Sequence, residues 1–204
     1  MKKLFIICIA VLSGMGLFGN EAAVLQANED MHQAMMAFDL DKALTFLHPE
    51  YVEINSDGKV FSREQAVMIT EMFKITQKII AGKGKLSDFM MIISLASGKE
   101  VTAEMRRSFL AMDNSPEAAE QLAAIRSNMM GGVTILSNKL EEIQIRMREV
   151  WKTYKVISCT VSGNEARLVF EMQDFNSDKM EIHESDWVKI DGRWLCKKDA
   201  SRYK

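Results

Sequence analysis

The sequence predicts an α+β fold in which helices come first and an antiparallel sheet closes the chain. Three observations carry this. Residues 154–198 alternate apolar and polar side chains in runs bounded by tight-turn residues, the period-two signature of strands. Residues 20–80 place apolar side chains at helical intervals around one short hairpin. Residues 85–137 form a further apolar, helix-patterned segment before the sheet.

The composition fits one ordinary domain with a sizeable core: 204 residues, 48% hydrophobic and 26% charged. Only 2 Pro and 11 Gly argue against long linkers. Residues 1–19 read as a signal peptide. Lys2-Lys3 form a basic start, Leu4–Leu12 an apolar run too short to span a membrane, and Ser13, Gly14, Gly16 and Gly19 supply small residues. Cleavage is expected after Gly19, with Ala22 or Ala23 as alternatives. Cys8 lies inside the apolar run, which excludes a lipoprotein reading. Residues 20–204 are then a single domain, periplasmic or secreted. Losing Lys2 and Lys3 takes the net charge from -2 to -4. That is too mild to imply a nucleic-acid partner, or a membrane partner after cleavage.

In order, residues 20–38 read as a first helix, with Val24, Met31, Met35 and Phe38 on one face. Asp39 is the expected N-cap of a short second helix, Leu40–Leu47, ended by His48-Pro49. Tyr51, Glu53 and Asn55 alternate with Val52 and Ile54 as a strand. Asp57-Gly58 makes a hairpin turn to Val60-Phe61. Ser62 with Gln65 has capping-box spacing for a third helix reaching about Ile80. Three helices are expected over 87–96, 100–112 and 116–130, with breaks at Ser97-Gly98, Asp113–Ser115 and Gly131-Gly132. A further helix, or a helix-to-strand passage, is expected over 138–154. The sheet then takes strands at 154–161, 165–173, 180–190 and 193–198, with Asp191-Gly192 as the last turn. Lys197, Lys198, Arg202 and Lys204 read as a solvated basic end. Cys159 and Cys196 lie in strands among apolar residues and read as free thiols, although an oxidising compartment permits a bridge.

Two blocks carry a family resemblance. One runs from Ala37-Phe38-Asp39-Leu40-Asp41 through Pro49-Glu50-Tyr51 to Asp57-Gly58-Lys59-Val60 and Ser62-Arg63-Glu64. The other is Val161-Ser162-Gly163-Asn164-Glu165-Ala166 followed by Trp187-Val188-Lys189-Ile190-Asp191-Gly192-Arg193-Trp194. In this order they resemble the nuclear-transport-factor-2-like superfamily, which includes SnoaL-like and ketosteroid-isomerase-like proteins. The resemblance implies a cone: a curved antiparallel sheet wrapped around N-terminal helices, enclosing a cavity. The segment 85–137 is an addition to that plan. The implied sheet order separates the strands of Cys159 and Cys196, which favours free thiols.

Enzymes of the superfamily use a cavity Asp, Glu or His as a general base. Strand parity places Glu181, His183, Ser185, Trp187 and Lys189 on one face. Met180, Ile182, Glu184, Asp186 and Val188 share the other. Asp186, Glu184 and His183 are the candidate bases, because an acid among aliphatics has a raised pKa. The competing reading pairs Glu184 and Asp186 with Arg167 or Lys197 across the sheet. Tyr51, Phe170, Met172 and Trp187 are the expected cavity lining. Met31, His32, Met35 and Met36 have a copper-like composition, but the spacing is ordinary helix-core spacing and no metal is expected. No dinucleotide, phosphate-loop or nucleophile-elbow motif is present, and no cofactor is expected. Two roles stay open: binding of a small apolar ligand or a protein partner, including a second copy of the chain, and lyase or isomerase chemistry.

Overall fold

The structure, a computed structural model, describes residues 20–96 and 101–204, with backbone alone for residue 96 and for 128–137. The expected signal peptide and the break at Ser97-Gly98 lie outside the described residues. The elements run α1 (residues 20–36), α2 (Leu40–Leu44), β1 (Leu47–Ile54), β2 (Val60–Ser62), α3 (Arg63–Ile80), α4 (Leu86–Ala96), α5 (Ala103–Met112) and α6 (Ala118–Trp151). Then come β3 (Lys155–Ser162), β4 (Glu165–Gln173), β5 (Met180–Ile190) and β6 (Arg193–Tyr203). The fold is α+β, with one curved six-stranded sheet ordered β2-β1-β6-β5-β4-β3. Every neighbouring pair is antiparallel except β1 and β6.

Local chemistry explains most boundaries. Asp39 caps α2, its carboxylate accepting from the Lys42 N–H at 3.2 Å. Gly58, at φ +79°, supplies the positive dihedral that the β1–β2 hairpin needs. Asp191 and Gly192, both at positive φ, do the same between β5 and β6.

Several boundaries differ from expectation. The second helix stops at Leu44, and His48-Pro49 lies within β1. Proline stops a helix, but its fixed φ also suits a strand. The helix α6 runs 34 residues through Gly131-Gly132, where a break was expected. Two helical glycines cost propensity without enforcing a stop. The last strand extends to Tyr203, so the basic end is sheet rather than solvated tail. There Lys197 lies 3.6 Å from Glu50, Arg202 3.0 Å from Glu184 and Lys204 2.9 Å from Glu171.

The chain divides into two compact units. One comprises the residues up to Glu64 together with Arg146–Lys204; the other is Gln65–Ile145 and contains the helical addition. The second unit has its own core of Ile75, Ile79, Phe89 and Met91. Ser87 binds Asp113 through its backbone N–H and its hydroxyl, at 2.9 and 2.8 Å. The first unit holds the whole sheet. Its core packs Val24 of α1 against Tyr51, Ala166, Leu168, Phe170, Trp187, Trp194 and Cys196. Both Cys159 and Cys196 are free thiols, on strands separated by β4 and β5.

Candidate functional site

The register of the sheet decides which side chains face inward. Ala166, Leu168, Phe170 and Met172 pair with Trp187, Ser185, His183 and Glu181 respectively. Directly opposed residues share a face, so β5 turns Glu181, His183, Ser185 and Trp187 toward the core. On β6 the register slips between Asp186 and Trp187. Trp187 faces Cys196, whereas Ser185 faces Asp199. This bulge puts Cys196 and Asp199, three residues apart, on one face, where plain alternation would separate them. Glu53 of β1 then lies beside Asp199.

A cavity of about 510 Å³ opens on this face, lined entirely from the first unit. Its apolar wall is Met35 and Met36 from α1, Met147, Val150 and Trp151 from α6, and Met172 from β4. Asn55–Asp57 and Asp174–Asn176 contribute turns. His32, Glu53, Glu181 and His183 supply ionisable groups, and Ser201 and Tyr203 complete the β6 side. Arg146 holds the Asp174 turn, donating to the carbonyls of Phe175, Asp174 and Ser177 at 3.0, 3.1 and 2.6 Å.

His183 lies between two carboxylates. Its Nδ1 is 3.3 Å from Asp199 Oδ2 and its Nε2 is 3.4 Å from Glu181 Oε2. The second contact is close enough for charge attraction but is not aligned as a hydrogen bond. The ring lies flat on Phe170, with centroids 4.8 Å apart. Burial alone would lower the His183 pKa. The hydrogen bond and charge of Asp199, with the charges of Glu181 and Glu53, outweigh burial and raise it. Burial raises the Glu53 pKa, Asp199 adds to that, and the hydrogen bond from the Tyr51 hydroxyl at 3.2 Å opposes it. His32 moves the other way: burial lowers its pKa, against the Asn28 carbonyl and Asp199. Its Nδ1 donates to the Asn28 carbonyl at 2.8 Å, so the neutral ring leaves Nε2 as an acceptor. Trp151 stacks on His32 at 4.3 Å and fixes the ring plane.

The sequence-derived candidates separate by face. His183 and Met172 line the cavity. Glu184 and Asp186 lie on the opposite face of β5. Glu184 pairs with Arg167 and Arg202, the cross-sheet pairing weighed against a catalytic role. Asp186 and Trp187 line a separate hollow of about 740 Å³ with Arg167 and Lys198. Tyr51 and Phe170 are core residues that orient Glu53 and His183. Trp187 is also core, its indole N–H donating to the Ser185 hydroxyl at 2.9 Å. Sequence reasoning missed Glu53, Glu181, Asp199 and the part played by His32. Glu53 had a signal, because period two puts it beside Tyr51. Asp199 had none, since it lies beyond the expected strand end and after the bulge. Among the described residues no group of three or more His, Cys, Asp or Glu is arranged to hold a metal ion.

No family profile matches this chain, and no functionally curated protein does. It is similar to several solved structures. A nuclear-transport-factor-2-like protein of unknown function from Silicibacter pomeroyi is 11% identical, covering 90% of this chain and 94% of that one at a TM-score of 0.42. Another from Pseudomonas putida is 8% identical, over 91% and 87%, at 0.41. A ketosteroid isomerase-like protein from Erwinia carotovora atroseptica is 7% identical, over 89% and 94%, at 0.38. Two helices, a short hairpin, a third helix and a closing four-strand meander, with the inserted helices before the meander, are the element order on which the resemblance to the nuclear-transport-factor-2-like superfamily rests.

Proposed function

We propose that this protein is an exported domain that binds a small molecule in the cavity of its sheet-bearing unit. The observation that carries this reading is the cavity itself. One wall is apolar, and the floor gathers Glu53, Glu181 and His183, with Asp199 behind them against His183. Small-molecule sites combine an apolar body with a few convergent polar groups in this way. Export rests on the N-terminal Lys2-Lys3 and Leu4–Leu12 pattern. The sheet-face partner reading has less support, because the outer face carries the Arg167–Glu184–Arg202 and Glu171–Lys204 ion pairs. Native mass spectrometry of protein purified from its host tests the reading. A retained small molecule that Met172→Trp expels is the expected result. A bare chain in both forms, with no ligand taken up, counts against it.

A second reading, proton-transfer catalysis of the lyase or isomerase kind, is favoured by one observation. His32 is stacked under Trp151 with its Nδ1 on the Asn28 carbonyl, whereas His183 lies between Asp199 and Glu181, and these surroundings favour the neutral form of the first ring and the cation of the second. Such a split assigns a base and an acid. In this reading His32 Nε2 accepts a proton from the ligand, and the His183 imidazolium donates to the oxygen that gains charge. Isomerisation of a β,γ-unsaturated cyclic ketone, followed by the absorbance of its conjugated product, is the measurement. His32→Phe is expected to lower the rate about a hundredfold. No turnover by the native chain sinks this reading and leaves binding.

A further inference from the structure

We propose that the cavity selects an organic amine, a ligand bearing one positive charge on an apolar body. This rests on the cavity being the functional site and specifies what fills it. The lining contains acids and imidazoles, and no Lys or Arg occurs among its described residues. Two of the acids are matched by their own neighbours. Asp57 lies 2.6 Å from Lys59. Asp174 accepts from the Ser177 hydroxyl at 2.6 Å and the Asn176 N–H at 3.0 Å.

Glu53 and Glu181 are different. With Asp199 they make three carboxylates around one imidazole, His183. Glu181 is only 7% exposed, and its contact with His183 is unaligned. Asp199 Oδ1 is buried without a hydrogen-bond partner. Buried carboxylates short of counter-charge and donors are costly. An ammonium group brings one charge and up to three N–H donors, and so supplies both deficits at once. Without a ligand the chain's own remedy is a proton, which the raised Glu53 pKa reflects. An anionic ligand would meet Glu53 and Glu181 directly. A neutral one would leave the deficit in place. The methionines and Trp151 give the body of the ligand a polarisable apolar wall.

Three probes of one shape separate these cases: benzylamine, benzyl alcohol and benzoate, titrated into the whole protein at neutral pH by calorimetry. The expected order is amine first by about tenfold over the alcohol, with benzoate weakest. Glu181→Gln and Glu53→Gln should each shrink the amine-to-alcohol ratio several-fold, with a circular-dichroism spectrum and a cooperative thermal transition like the parent's showing that the variants fold. An alcohol or benzoate that binds as well as the amine overturns the inference and leaves the cavity reading standing. So does an amine preference that survives both substitutions. Failure of all three probes on folded protein overturns the inference and the cavity reading together.

Discussion

Glu53 and His32 carry opposite linkage to pH, and each gives a measurable sign. Glu53 has a raised folded pKa. The stability it contributes is fully present below the unfolded value near 4.5 and is lost as pH rises through the folded one. Glu53→Gln keeps an oxygen for the Tyr51 hydroxyl and removes that loss. The variant should be more stable than the parent at neutral pH by about 1 kcal/mol, the scale of a single-site change. The gap should close as pH falls below about 4.5. Thermal midpoints across that range check it. A gap that widens in acid would refute the burial argument. His32 has a lowered folded pKa, so its contribution is present above about 6.5 and is lost as pH falls through the folded value. His32→Phe keeps a flat ring on Trp151 but loses the bond to Asn28. It should cost up to about 1 kcal/mol at neutral pH. It should also lose less stability on acidification than the parent does.

Elements matter here through how they deliver side chains. The bulge in β6 converts an ordinary strand end into a site, because it turns Asp199 onto the face of His183 and Glu53. Arg146 near the end of α6 fastens the Asp174–Asn176 turn by three hydrogen bonds to carbonyls. Arg146→Lys cannot reproduce that planar fork. A loss of roughly 1–3 kcal/mol in denaturant unfolding is expected, with faster amide exchange confined to that turn. Uniform exchange across β4 and β5 would show that the arginine serves the sheet rather than the turn. In α6 itself, Gly131→Ala with Gly132→Ala should stabilise by about 0.5–1 kcal/mol per site, since alanine suits a helix interior better. A destabilised double variant would point to close packing at those glycines instead.

At the scale of the molecule, the chain carries two cores. The core beneath the sheet is aromatic, built on Phe170, Trp187 and Trp194. The core of Gln65–Ile145 is built on Ile75, Ile79, Phe89 and Met91. The proposed export adds a prediction about the whole chain. Protein recovered from its host should begin at Asn20, or at Ala23 or Val24 if cleavage follows Ala22 or Ala23, as an intact mass would show. A mass that retains Lys2 would remove the support for export.

Element type was legible in the sequence wherever a local pattern decided it. Alternation marked β4 and β5, Asp57-Gly58 and Asp191-Gly192 marked their turns, and Asp39 marked a helix start, because these follow from a few neighbouring dihedrals. Alternation also divided β5 into its two faces correctly. It could not tell which face was inner. The aliphatic Met180, Ile182 and Val188 pointed to the wrong side, because the inner face here borders a cavity rather than a closed core: Glu181 and His183 line that cavity, and the Ser185 hydroxyl donates to the Leu168 carbonyl. Only the tertiary structure decided that. The inner face is set by packing against α1 and by the register of β6 on β5. Both are contacts between residues far apart in the chain, and one slipped residue in that register places Asp199 beside His183.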